Sequence, residues 1–141
     1  MNIMEVKFSA KSENESLARV IVASFAAKLD PTIDELSDIK TAVSEAVTNA
    51  IIHGYEEDET KFVHMRCELI EKTIKVVVED YGKGIEDIEE AKQPMFTSKP
   101  ELERSGMGFS FMESFMDDMQ VASIVGEGTK VIMTKTIEVP K

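Results

Sequence analysis

Residues 63–69 alternate apolar and polar side chains (Val63, Met65, Cys67, Leu69), and residues 74–78 again have apolar side chains at every second position (Ile74, Val76, Val78), with a turn at "EKT" between the runs. A period of two puts these apolar side chains on one face of a hairpin. A sheet with one apolar face has to bury it, and a layer of amphipathic helices is a standard cover. The chain supplies that layer. After a strand-like alternation at 4–10 (Met4, Val6, Phe8, Ala10), "SENE" reads as a capping box, with Ser12 as the cap and Glu15 reaching back. Helix one follows, with Leu17, Val20, Ile21, Phe25 and Leu29 on one face, until "DPT" at 30–32 breaks it. Helix two runs from about Asp34 to His53 with the apolar stripe Leu36, Ile39, Val43, Ala46, Val47, Ala50 and Ile51, and Gly54 stops it.

From Gly82 to about Gly106 the chain is polar and holds Pro94 and Pro100, so it reads as loop with a short helical turn near 86–91. A third helix opens near Gly106–Gly108 and carries Phe109, Met112, Phe115 and Met116. Two last strands, about 119–125 and 129–138, flank "GEGT". With no repeat and no linker, the expectation is one domain over 1–141. Its fold class is α+β, an α/β sandwich with a mixed, mainly antiparallel sheet covered on one face by helices. The 141 residues, 43% hydrophobic, suffice for a real core.

The charge and ligand inventory narrows the function. A formal net charge of −11 disfavours direct binding of nucleic acid. No apolar run approaches the ~18–20 residues of a membrane span, and the N-terminus lacks a signal-peptide pattern, so a cytoplasmic protein is expected. One cysteine, Cys67, excludes an internal disulfide, and with two histidines it argues against a structural zinc site.

Three stretches carry candidate chemistry. In "SEAVTNAIIHGY" the residues Glu45, Asn49 and His53 recur every four positions, one strip of a helix. The plain reading is a solvated flank. The functional one is a carboxylate able to accept a proton from a hydroxyl, beside an amide oxygen able to hold Mg²⁺. In "VVVEDYGKG" Asp80 is in phase with Ile74, Val76 and Val78, so its side chain points inward. It either caps a tight turn or accepts from an amino group such as that of adenine, with Gly82 and Gly84 allowing close approach. In "RSGMGFSF" small residues lead into a helix start, which either simply opens the helix or attracts phosphate. Arg104 stands just before it as a charged clamp, and Thr129 after "GEG" offers a hydroxyl to the same pocket. Jointly the three describe a nucleotide site, with the polar segment as its lid.

In this order, Glu45-xxx-Asn49-xxx-His53, Asp80-x-Gly82-x-Gly84, Gly106-x-Gly108 and Gly126-x-Gly128-Thr129 resemble the boxes of the GHKL ATPase superfamily, which includes gyrases and histidine kinases. The stretches "EAVTNAIIHGY" and "MFTSKPELERSGMGFSFM" resemble the serine-kinase anti-sigma factors of spore-forming bacteria more closely. The resemblance implies a Bergerat fold, ATP with Mg²⁺, and a homodimer. It also implies two partners, a sporulation sigma factor and a STAS-domain anti-anti-sigma protein phosphorylated on serine. By position, Glu45 would be the general base and Arg104 would sit near the terminal phosphate. Asn49 would hold Mg²⁺ and Asp80 would bind the adenine amino group near Thr129. Gly82, Gly84, Thr97, Ser105, Gly106, Met107, Gly108 and Phe109 would complete the nucleotide site. Ser105 stands where many superfamily members have glycine, and His53 is given no chemistry. The runner-up functions are an ATP-dependent sigma-binding module without catalysis, and an ATPase or histidine-kinase-type catalytic domain.

Overall fold

The computed structural model describes residues 1–85 and 108–138, with backbone alone for 108–111. The elements run β1 (Asn2–Ser9), α1 (Asn14–Ala26), α2 (Ile33–Asn49), β2 (Phe62–Ile70), β3 (Thr73–Asp80), α3 (Gly108–Phe115), β4 (Asp118–Ile124) and β5 (Gly128–Thr136). A 3₁₀ turn at Ala27–Leu29 extends α1, and a π-helical turn at Ala50–Gly54 extends α2. The five strands pair in the order β1-β2-β3-β5-β4. All four pairings are antiparallel, so the sheet of the described residues is not the mixed one expected from the pattern.

The hairpin register explains why the alternation was so regular. Met65 faces Val78, Cys67 faces Val76 and Leu69 faces Ile74, so the apolar sets of both strands meet on one face. Those residues are buried, as are Val63, Val131 and Met133 on the same side. Burial also pushes the Cys67 thiol up to about 12, which leaves it unreactive. The opposite face carries cross-strand ion pairs, such as Arg66 with Glu5 at 2.6 Å and Lys130 with Glu79 at 3.9 Å. Exposed pairs of this kind add little stability.

The helices differ from expectation in two informative ways. The capping box forms at α2, where Thr32 Oγ1 accepts from Glu35 N at 3.1 Å and Thr32 N donates to Glu35 Oε1 at 2.9 Å. The expected box at Ser12 and Glu15 is absent, and Glu13 caps α1 without a side-chain bond. Glu15 instead accepts from the Ser44 hydroxyl on α2, which ties the two helices together. The buried face of α1 is Ala18, Val22, Phe25 and Ala26, whereas Leu17 and Val20 are exposed. Small Ala18 and Ala26 let α1 approach α2 closely, so packing overrules the larger apolar side chains one position away. Lys11 precedes α1 and pairs with Glu13 at 3.9 Å.

On α2 the stripe is as expected, with Ile39, Val43, Ala46 and Val47 buried and Ala42 added. α3 starts at Gly108 and buries Met112, and Met116 just past its end is buried too. The short helical turn expected near 86–91 lies outside the described residues, as does all of the polar segment beyond residue 85.

Candidate nucleotide site

Two walls meet at the C-terminal end of α2. The first is the row where the buried face of the sheet turns polar. Asp80 ends β3 and pairs across the sheet with Thr129 of β5. One row inward the same positions are Val78 and Val131, which belong to the core. Asp80 is only 5% exposed and Thr129 only 9%. Burial pushes the Asp80 carboxyl up to about 6, although backbone bonds from Gly82 and Thr129 pull the other way. The Gly82 N–H donates to Asp80 Oδ1 at 2.9 Å. Asp80 therefore caps a turn, and its carboxyl is buried as well.

Glycine at 54 makes this arrangement possible. A Cβ there would sit 2.6 Å from the Asp80 carboxyl carbon and 2.7 Å from each of its oxygens. Gly82 is equally cramped, since a Cβ on it would lie 1.9 Å from the Gly54 carbonyl oxygen. Helix end and strand end thus touch through backbone, and Lys83 N donates to Gly54 O at 3.0 Å. Gly84 continues this loop to the β4–β5 turn, where Gly126 N donates to Lys83 O at 2.7 Å. Behind Asp80, the Tyr55 hydroxyl accepts from Tyr81 N at 2.8 Å and donates to Phe62 O at 2.7 Å.

The second wall is α2 itself. Glu45 and Asn49 are half-buried and share one strip of the helix. His53 belongs to the π-helical turn, where Tyr55 N donates to Ala50 O at 2.9 Å, five residues back. The wider turn breaks the four-residue strip after Asn49, so the spacing of His53 with Glu45 and Asn49 is not one helical face. Asn49 Nδ2 is buried and has no hydrogen-bond partner among the described residues. Which amide atom points there is an assignment, and the flipped amide presents the oxygen instead. Gly108 opens α3, and Phe109 follows within it. Thr97, Arg104, Ser105, Gly106 and Met107 lie outside the described residues.

The histidine kinase-like ATPase domain family matches residues 8–135. An anti-sigma F factor of Clostridium perfringens is 63% identical over 134 residues, 95% of this chain and 96% of the relative. The chain belongs to the anti-sigma F factor family. Another member, from Anoxybacillus flavithermus, is 59% identical over 95% of this chain and 92% of its own. A crystal structure of the RsbU and RsbW domains of a Mycobacterium tuberculosis protein aligns over 99% of this chain with a TM-score of 0.72. At 18% identity that likeness concerns the fold, and this chain spans 34% of that longer chain. A family built on an ATPase domain accounts for a polar, glycine-bounded row at the sheet's end facing a helix with a carboxylate and an amide.

Sequence reasoning singled out Asp80, Thr129, Glu45 and Asn49 but treated Gly54 only as a helix stop. It assigned no role to Tyr55, which is buried. The aromatic residue placed directly after the glycine was the available signal.

Proposed function

We propose that this chain is an ATP-dependent anti-sigma factor and protein-serine kinase. It binds Mg-ATP, holds a sporulation sigma factor, and phosphorylates a serine on a STAS-domain anti-anti-sigma partner. The observation that carries the reading is the buried Asp80 row packed against Gly54, at the end of the helix that bears Glu45 and Asn49. Asp80, ionised and held by Gly82 N–H, accepts from the adenine amino group. Gly54 and Asn49 are about 7 Å apart along the helix axis, and Gly54 and Glu45 about 13 Å. In this reading, with the base seated at Asp80, the phosphates lie along α2 toward Asn49 and then Glu45.

Asn49 Nδ2 has no partner among the described residues, and the flipped amide would turn its oxygen to that place, as a cation site needs. Asn49 would hold Mg²⁺ there, and the ion would neutralise phosphate charge. Glu45 accepts the proton of the incoming serine hydroxyl as its oxygen bonds to the γ-phosphorus and the bond to ADP breaks. Gly108, at the start of α3, supports phosphate through the helix N-terminus, with Gly106, Met107 and Arg104 assigned beside it by the family pattern. The proposal includes a homodimer, and a sigma-factor partner puts the protein in the cytoplasm. Among the described residues no helix is long and apolar enough to cross a membrane.

The test is transfer of labelled γ-phosphate from Mg-ATP to a STAS-domain protein, with wild type beside Glu45→Ala. Label on the partner's serine, lost in the variant while ADP still binds, is the expected result. ATP and sigma factor bound by wild type with no label transferred would mean a nucleotide-gated binding module.

A further inference from the structure

The Asp80–Thr129 row has a third member. Ser123 of β4 stands directly opposite Thr129, so Asp80, Thr129 and Ser123 lie side by side across β3, β5 and β4. Among the described residues three groups meet Ser123 Oγ. Ile85 N donates to it at 2.8 Å, Gly128 O lies at 3.0 Å, and Thr129 Oγ1 lies at 2.8 Å. A serine hydroxyl has one proton to give and two lone pairs to fill. The Ile85 N–H fills one lone pair. The Gly128 carbonyl can only accept, so it takes the serine proton. The remaining contact then requires the Thr129 proton to enter the second lone pair of Ser123. Only this arrangement makes all three hydrogen bonds.

The consequence falls on the pocket side of Thr129. With its proton committed to Ser123, Thr129 Oγ1 shows only lone pairs, and its neighbour is the Asp80 carboxylate. Two adjacent acceptors suit an exocyclic amino group, which has two protons to donate. They repel the carbonyl oxygen that a 6-oxo purine carries at the same position. Were Thr129 free to turn, it would donate to that oxygen while Asp80 accepted from the neighbouring ring N–H, and a 6-oxo purine would be accommodated.

We infer that Ser123 is a positioning residue that orients the Thr129 hydroxyl and thereby sets the preference for a 6-amino over a 6-oxo purine nucleotide. The inference rests on the ATP-site reading above. A residue reached only through Thr129 touches no ligand, so it acts on selectivity more than on affinity.

The experiment compares ADP with inosine diphosphate, binding each with Mg²⁺ to the full chain by titration calorimetry. Wild type is expected to prefer ADP. Ser123→Ala should cut that preference about tenfold, chiefly by tightening inosine diphosphate, the scale of one hydrogen bond made or lost. Ser123→Thr, which keeps the hydroxyl, should retain it. In a Thr129→Val background Ser123→Ala should leave the preference unchanged, because there is no hydroxyl left to orient. An equal weakening of both nucleotides by Ser123→Ala would reduce Ser123 to packing and overturn the inference, as would Ser123→Thr behaving like Ser123→Ala. Failure of wild type to bind ADP at all would sink the ATP-site reading, and this inference with it.

Discussion

Replacing Gly54 by alanine isolates the role of the cradle around Asp80. Gly54 is not among the residues with positive φ, so its backbone admits alanine without torsional strain. The cost is steric. The new Cβ would stand 2.6–2.7 Å from three carboxyl atoms of Asp80. Non-bonded carbon contacts settle near 3.5–4.0 Å, so either the carboxylate or the helix end must retreat by about 1 Å. Asp80 is 5% exposed and backed by the core, which leaves it little room. Overpacking of this kind costs about 1–3 kcal/mol, and the better helix propensity of alanine returns up to ~1 kcal/mol. Stability should therefore fall by about 0–2 kcal/mol in urea denaturation. ADP binding should fall far more, at least about tenfold, because a 1 Å shift takes the carboxylate out of hydrogen-bond reach of the base. Fluorescent-ADP titration beside the urea curves reads both quantities. Alanine at 54 with wild-type ADP affinity would refute the argument that this contact positions Asp80.

Asp80 makes a second prediction, with a definite sign. Its carboxyl titrates at about 6 in the folded protein against an ordinary 3.8, so folding takes up a proton between those values and stability falls as pH rises through them. Asp80→Asn should therefore stabilise the ligand-free protein above pH 6, by on the order of 1–3 kcal/mol, with the gain shrinking toward pH 4; denaturation of both proteins at pH 4 and 7.5 checks it, and a gain equal at both pH values contradicts it. Nucleotide binding has the opposite dependence, because the base needs the ionised carboxylate, so wild-type ADP affinity should decline on acidification through the same pKa. Thr32→Ala removes the capping box of α2 and should cost ~1 kcal/mol, measurable as a lower urea midpoint with an unchanged slope. Glu71 sits at φ 55° in the turn joining β2 to β3, so Glu71→Gly should raise stability by about 1 kcal/mol, while an unchanged or lower midpoint would mean that the Glu71 side chain contributes something that offsets the strain.

What the sequence determined by itself follows from short-range geometry. Alternation over 63–69 and 74–78 specified a hairpin with one buried face, because side-chain direction along a strand depends only on parity. The same parity carried Asp80 inward, and the structure places it there. The stripe of α2 was legible because its apolar residues leave one choice of face, and Glu45 with Asn49 came with it as neighbours one turn apart. Helix one was less determinate. Leu17, Ala18, Val20, Ile21 and Val22 offer overlapping faces, and the choice of Ala18 and Val22 over Leu17 and Val20 belongs to the packing of α1 against α2. Glu15 likewise matches a capping motif locally, yet it bonds Ser44, 29 residues away. The site shows the division most clearly. That Gly54 has to be a glycine depends on Asp80, which only the meeting of helix end and strand end brings within 3 Å of a Cβ there. The Asp80–Thr129–Ser123 row exists because β5 inserts between β3 and β4, a strand order that no local pattern encodes. Period and phase follow from the covalent chain. The partners of a buried polar group follow from which distant backbones pack together.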